Sequence, residues 1–424
     1  MNLPNRQRST PEKLGDFVLR TEPLWPVPLY FLLLFDSPFL WVGWIIALVP
    51  WPLRRWRKGY LFPRTLFDIP IAIFMIGAIV GLIYSNHTAI SIVAFQSYIC
   101  VVFFYYAIAA GDWIRDWKLW GVFWVLFALL ISVFVFSQIP ITQSYTSTFT
   151  PLNAWFIRML PSLPEIFAFR ANVNSLAIIL AMIIPVLFGV SIFGIKAHFR
   201  IRVGSIIVTI LFIILLIFTS SRGGWIATGI ALFFILSLRT KWALVLIPIA
   251  VGTIIWLWQT AYDPFNMLQL GDSGSLRRIE IWQLTIQMLK DYPLLGCGLG
   301  AFPIVFLPLA ELHYWFPVSN PHNAYLMLYT DMGILGALTA FLAFTILMIT
   351  MVKLWKRPRN QPVYGMAVGI VAGLIALGIH GVFEASGAAI WLDGAGGYHY
   401  LASPAPWFVA GNLAIAIKKM RIRE

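Results

Sequence analysis

The stretch Asn320-Pro321-His322-Asn323-Ala324-Tyr325-Leu326 sets a histidine beside a proline, where a long polar loop, 259–321, runs into an apolar segment. Histidine is scarce, six in 424 residues, and charged side chains make up only 11% of the chain. An ionisable group kept at such a boundary points to chemistry, and imidazole is the side chain suited to proton transfer near neutral pH. His322 is therefore the candidate catalytic residue, a general base. His87, His198, His313, His380 and His399 lack comparable surroundings, although His380 and Glu384 stand four apart and can pair on one helical face.

Arginines supply the complementary charge. Thr219-Ser220-Ser221-Arg222-Gly223-Gly224-Trp225 joins two apolar runs. The downstream run, 225–238, gives roughly 21 Å of helix, short of the ~30 Å hydrocarbon core. Helix must then extend back through Arg222, or the backbone must break there inside the protein. The paired glycines let backbone or ligand come close. Leu276-Arg277-Arg278-Ile279-Glu280-Ile281-Trp282 places two more cations at a helix start, where the dipole already favours anions. Guanidinium forks match phosphate oxygens in pairs and stay charged when partly desolvated. Arg277 and Arg278 are candidate phosphate ligands, and Arg222, at or below headgroup level, is a candidate functional residue. Asn174 and Asn323, each opening an apolar span, are candidate substrate contacts, whereas Asn172 reads as a helix cap. Gly296-Cys297-Gly298-Leu299-Gly300-Ala301-Phe302 has neither the spacing nor the βαβ setting of a dinucleotide fingerprint, and reads as a tight connection back to the membrane.

The elements that must position these residues follow from composition. The chain is 60% hydrophobic with a mean hydropathy of +0.83, against roughly 45–50% apolar content in soluble domains. Repeated long apolar runs make it an all-α polytopic membrane protein, and the alternation of a membrane β-barrel is missing. The net charge of +13 is spread over short loops, which reads as positive-inside topology and not as a nucleic-acid patch. The polar N-terminal segment does not resemble a cleavable signal peptide. Cys100 lies in an apolar run and Cys297 in the long loop, so no disulfide joins them. No Cys/His cluster has zinc-ligand spacing, and no Asp-x-Asp clamp for a metal-bound sugar nucleotide occurs. Neither metal nor cofactor is expected.

Ten clear apolar spans occupy 66–84, 89–110, 119–139, 173–193, 203–219, 225–238, 242–258, 323–350, 363–383 and 404–417. Every second connection is basic, as at Arg54, Arg115, Lys196, Arg239, Lys353 and Lys418, and the Lys/Arg bias puts that set in the cytoplasm. Segment 24–52 reads as two short membrane segments hinged at Asp36-Ser37-Pro38, for about twelve in all; a single crossing is the competing reading. The expected division is a cytoplasmic tail 1–23, a transmembrane bundle 24–258, an extracytoplasmic catalytic loop 259–321, further bundle 322–417 and a cytoplasmic tail 418–424. Segments 140–172, 259–321 and 384–403 face outward. Within the longest, Ser275 caps an amphipathic helix stopped by Pro293, with Ile279, Trp282, Ile286 and Leu289 on one face and Glu280, Gln283, Gln287 and Lys290 on another. Such a helix lies at the membrane surface or packs on the bundle.

In this order, Ser221-Arg222-Gly223-Gly224, Arg278-Ile279 with Ile281-Trp282, Gly296, Gly298, Gly300 and Phe302, Pro321-His322-Asn323 with Leu326, and then Gly333 and Gly336 resemble the O-antigen ligase family of polytopic glycosyltransferases. The resemblance spans roughly 172–336. It implies a metal-independent enzyme of a bacterial cytoplasmic (inner) membrane, active on the periplasmic or exterior face. The donor it implies is an undecaprenyl diphosphate-linked glycan, and the acceptor a hydroxyl on a lipid, glycan or protein. By the same resemblance Arg222 and Arg278 correspond to diphosphate-binding arginines and His322 to the catalytic histidine. The glycine-rich stretch from Asp393 to Tyr398 departs from the pattern, which leaves the acceptor open. Two alternatives stand beside the ligase reading: a repeat-unit polysaccharide polymerase of the same superfamily, and a transporter of a small anion such as bicarbonate. A transporter would place polar groups near the midplane.

Overall fold

The computed structural model describes residues 10–34, 37–111, 117–138, 173–193, 199–219, 221–260, 273–313, 318–359, 363–385, 389–394 and 397–421. Ser220 and all of segment 140–172, Asn172 included, fall outside these residues. Within them the chain is overwhelmingly helical. Four helices are long and apolar enough to cross a membrane: α6 (Thr88–Ala110), the span Asn174–Phe193 within α8 (Val173–Phe193), α9 (Phe199–Phe218) and α14 (Ala324–Trp355). Shorter apolar helices include α5 (Asp68–Ile83), part of α7 (Trp117–Gln138) and α15 (Tyr364–His380). The expected total of about twelve spans counts these as crossings, although 16 or 17 residues give only about 25 Å of helix.

The N-terminal region is more ordered than a tail. Helix α1 (Thr10–Arg20) buries Val18 and Leu19, and Glu22 forms a buried ion pair with Arg54 of α4 (Pro50–Lys58). The break expected near Ser37-Pro38 separates α2 (Pro26–Leu34) from α3 (Leu40–Leu48). Each is nine residues, about 14 Å, less than half the hydrocarbon core. The two pack on each other as a short helical pair, so neither crosses the bilayer alone. Their close approach needs Gly43, where an added Cβ would lie 2.9 Å from Leu29 Cα.

Helices α8 and α15 form the centre of the bundle. Gly365, Gly369 and Gly373 recur every fourth residue along α15 and face α8, where added Cβ atoms would collide with the carbonyls of Gly189, Pro185 and Met182. A stripe of small residues is how membrane helices bring their backbones together. The pairing lays the first turn of α8 beside the end of α15, which fixes where Asn174 and the segment after His380 meet.

The Gly-x-Gly-x-Gly segment joins α12 (Ser273–Leu289) to α13 (Phe302–His313). Gly296, Gly298 and Gly300 all have positive φ, a conformation that L side chains resist. Their connection presses on α14 where that helix breaks at Gly333 (φ 58°, ψ −141°). The Cys297 and Gly300 N–H groups donate to the Thr330 carbonyl (2.7 Å) and Asp331 Oδ1 (3.1 Å), and Tyr98 donates to Asp331 Oδ2 (2.9 Å). Buried Asp331 is thereby satisfied, as a carboxylate at this depth must be.

The face of α12 that packs on the protein is Ile281, Leu284, Thr285 and Met288, joined with Phe302 and Phe306 of α13. Ile279 and Ile286, on the apolar face read from the sequence, are about half exposed. The helix thus carries two apolar stripes, and a second one packs on the protein. The all-α class holds, with one local addition. An antiparallel hairpin, β1 (Ala389–Gly394) paired with β2 (Gly397–Ala402), precedes α16 (Pro404–Arg421). The glycine-rich turn between the strands disfavours helix, and β-branched and aromatic residues flank it.

Candidate active site

At one end of the bundle the segments entering or leaving α8, α10 (Arg222–Arg239), α12, α14 and α15 meet around one carboxylate, Glu384. The opposite end carries basic connections, where Arg359 donates to the carbonyl of Arg239 (3.3 Å). Glu384 is 2% exposed. His322 Nδ1 lies 3.2 Å from both of its oxygens. Asn174 Nδ2 donates to Oε2 (3.2 Å), and the Ala385 N–H donates to Oε1 (2.9 Å). Arg278 Nη2 stands 3.8 Å from Oε2, near enough for a charge pair though too far for a hydrogen bond. Burial alone pushes the Glu384 carboxyl upward. The His322 hydrogen bond and charge, then Arg278 and the Ala385 N–H, outweigh it and hold the carboxyl below the ordinary glutamate range.

Local structure explains why His322 reaches Glu384. Asn323 caps α14, its Oδ1 accepting from the Tyr325 and Leu326 N–H groups (2.9 and 3.0 Å). Its Nδ2 donates to the Val382 carbonyl (3.0 Å), the Ala324 N–H to the Gly381 carbonyl (2.7 Å) and the Tyr325 hydroxyl to the Gly378 carbonyl (2.7 Å). Three bonds thus fasten the start of α14 to the end of α15. The Asn320 side chain accepts the His322 N–H (2.8 Å), and His322 takes φ 48°, the one positive φ of a non-glycine among the described residues. Such a conformation is costly for a residue with a Cβ and tends to be kept at functional sites.

Arg222 opens α10 at intermediate burial, as the shortness of its apolar run required. Ser221 caps the helix, its Oγ accepting the Gly224 N–H (3.3 Å) and donating to Asn174 Oδ1 (2.9 Å). At Gly223 an added Cβ would stand 3.3 Å from Phe383 and 3.5 Å from His380 Cδ2. Both neighbours of Arg222 therefore touch the cluster. The structure brings His322, Arg278 and Asn174 together, and sets Arg222 at the edge. Arg277 is exposed on α12. The Asn323 side chain is committed to holding backbone.

Glu384 is the residue that sequence reasoning missed as a site group. It was paired instead with His380, but α15 ends at His380, and Glu384 turns away to His322 while His380 Nδ1 has no partner. The available signal was a carboxylate at the outward end of an apolar span, the same reasoning that singled out His322. Among the described residues no three His, Cys, Asp or Glu side chains gather as metal ligands.

Chemically, a carboxylate that accepts from Nδ1 fixes the imidazole as the Nδ1–H tautomer. Nε2 then keeps its lone pair, and the ring is 30% exposed. Below the cluster runs an apolar cavity of about 250 Å³, with Glu384 and His380 at one end, Leu377, Phe344 and Trp407 along its walls, and Phe67 at the other. Its lining draws on Ala324, Tyr325 and Leu328 before the break in α14 at Gly333 and on Thr339 to Leu347 after it.

Residues 207–341 match the family described as O-antigen ligase. The matched segment holds Arg222, Arg277, Arg278, His322 and Asn323; Asn174 and Glu384 lie outside it. No curated protein matches the chain.

Proposed function

With a segment similar to O-antigen ligases that holds Arg222, Arg278 and His322, we propose that this protein is a glycosyltransferase of the ligase and polymerase superfamily. It moves a glycan from an undecaprenyl diphosphate carrier to an acceptor hydroxyl, without a metal, at the extracytoplasmic face of the bacterial cytoplasmic membrane. The observation that carries the reading is the convergence of His322, Arg278 and Asn174 on Glu384 at the mouth of an apolar cavity. An apolar cavity ending in cations and a base suits a lipid tail with a phosphorylated head. A small anion such as bicarbonate would find almost no polar lining there, which argues against transport. The basic connections at the opposite end support a cytoplasmic location for that end.

In this mechanism the acceptor O–H gives its proton to Nε2 of His322 as its oxygen bonds to the anomeric carbon. The bond from that carbon to the distal phosphate oxygen breaks, and the carrier diphosphate leaves with the electron pair. Arg278 and Arg222 stabilise the charge growing on the departing oxygen, at a low-dielectric boundary where fixed cations act strongly. One displacement inverts the anomeric centre. Glu384 keeps His322 in the productive tautomer and stabilises the imidazolium that forms. Whether the acceptor makes the reaction a ligation or a polymerisation depends on groups beyond this cluster. The test supplies purified protein with an undecaprenyl diphosphate glycan and candidate acceptors in chelator. Release of undecaprenyl diphosphate coupled to acceptor glycosylation is expected; anion uptake by proteoliposomes, with no transfer from any carrier, would replace the proposal.

A further inference from the structure

One polar side chain at the mouth of the apolar cavity has no role in the chemistry above. His380 ends α15, is 1% exposed, and its Nδ1 is buried without a hydrogen-bond partner. Polar groups this deep are nearly always paired, because an unmet donor or acceptor has lost its hydration for nothing. Its backbone carbonyl is already engaged, accepting the Phe383 and Glu384 N–H groups (2.8 and 3.1 Å). The Cδ2 edge of the ring lies toward Gly223, and the ring borders the cavity beside Glu384 and Gly381. Below it the lining turns apolar, through Leu377, Phe344 and Leu347. His380 therefore stands at the level where a lipid in the cavity would change from hydrocarbon to headgroup.

We propose that His380 is a donor-binding residue, hydrogen-bonding the lipid-proximal phosphate of a polyprenyl diphosphate. This rests on the glycosyltransferase reading and deepens it. Four residues farther along the chain, Glu384 gathers Arg278 and His322. A tail seated in the cavity brings its first phosphate to His380, and presents the second, which bears the glycan, to Arg278 and the base. Two phosphates are thus read by two separate groups: an imidazole N–H at the throat and a guanidinium above it.

The test measures binding of undecaprenyl phosphate and undecaprenyl diphosphate to the full-length protein in nanodiscs, with thermal unfolding of each variant as a check on folding. His380→Leu is expected to weaken both lipids by about 10- to 100-fold, the scale of one hydrogen bond to a charged group. His380→Gln, which can still donate, should recover most of that loss. Arg278→Lys should weaken the diphosphate and leave the monophosphate nearly unchanged. Wild-type affinity of His380→Leu for both lipids would overturn the assignment while leaving the transferase reading intact. Equal losses in His380→Leu and His380→Gln would make the residue structural. If the wild-type protein binds neither lipid, the transferase reading fails and the assignment with it.

Discussion

Glu384 lies 3.2 Å from His322 Nδ1 although 62 positions separate them in the chain. The two residues sit at facing helix ends, His322 before α14 and Glu384 after α15, and the contact exists because Asn323, Ala324 and Tyr325 bond to carbonyls at 378–382. A carboxylate at this point decides which imidazole nitrogen carries the proton, and so whether His322 can act as a base.

Glu384→Gln is expected to lower kcat without weakening donor binding. The amide can donate to Nδ1, which favours the tautomer with its proton on Nε2 and removes the basic lone pair; loss of a general base typically costs about 10²–10⁴-fold. Steady-state kinetics with saturating acceptor separates the two effects. A raised donor KM with unchanged kcat would mean that Glu384 serves binding and not the base.

Glu384 also sets a pH dependence of stability. Its carboxyl is held below the ordinary range in the folded state. Its contribution is therefore complete above the unfolded value and is lost as pH falls through the folded one. Thermal unfolding of wild type and Glu384→Gln should show the wild-type advantage at neutral pH and its loss on acidification below the ordinary carboxylate range. An advantage constant with pH would contradict a charged Glu384 carboxylate held by its partners.

Arg278→Lys and Arg222→Lys should each weaken donor binding and turnover, with only partial function left. Lysine keeps the charge but loses the planar fork that meets two phosphate oxygens. Kinetics over a range of donor concentrations checks this. Full activity in both lysine variants would reduce the arginines to general electrostatics.

The orientation can be read by cysteine labelling. Cys100 and Cys297 are both buried, and burial followed by the Asp331 charge pushes the Cys297 thiol upward, so the background should be silent. A cysteine at Gln283, on the exposed side of α12, is expected to react with an impermeant reagent from outside intact cells. Labelling only after the membrane is opened would invert the topology and remove the site from its acceptor.

The site was legible in the sequence where a single position announced itself. His322 and Arg278 were rare charges or bases beside glycine, proline or a helix start, and both reach the cluster. Asn174 was legible as the opening of a span, though not as a partner of a carboxylate. Glu384 was hidden because its role comes from the packing of α8 on α15 and from three bonds to α14, all contacts between distant positions. The packed face of α12 stayed open because two apolar stripes run along it, and helical periodicity alone cannot choose between protein and membrane surface. The hairpin at 389–402 lay in a glycine-rich stretch that neither helical nor strand periodicity marks clearly.

The most direct measurement is glycan transfer by variants lacking the His322 imidazole, with donor binding followed in parallel. His322→Gly suits this best, because glycine adopts the φ of 48° at that position without strain, and His322→Ala is the matching variant with a Cβ. Turnover is expected to fall by about 10²–10⁴-fold in both, with donor affinity near that of wild type and His313→Ala fully active. Undiminished transfer by His322→Gly, or its retention there and loss in His313→Ala, would contradict the assignment of His322 as the base.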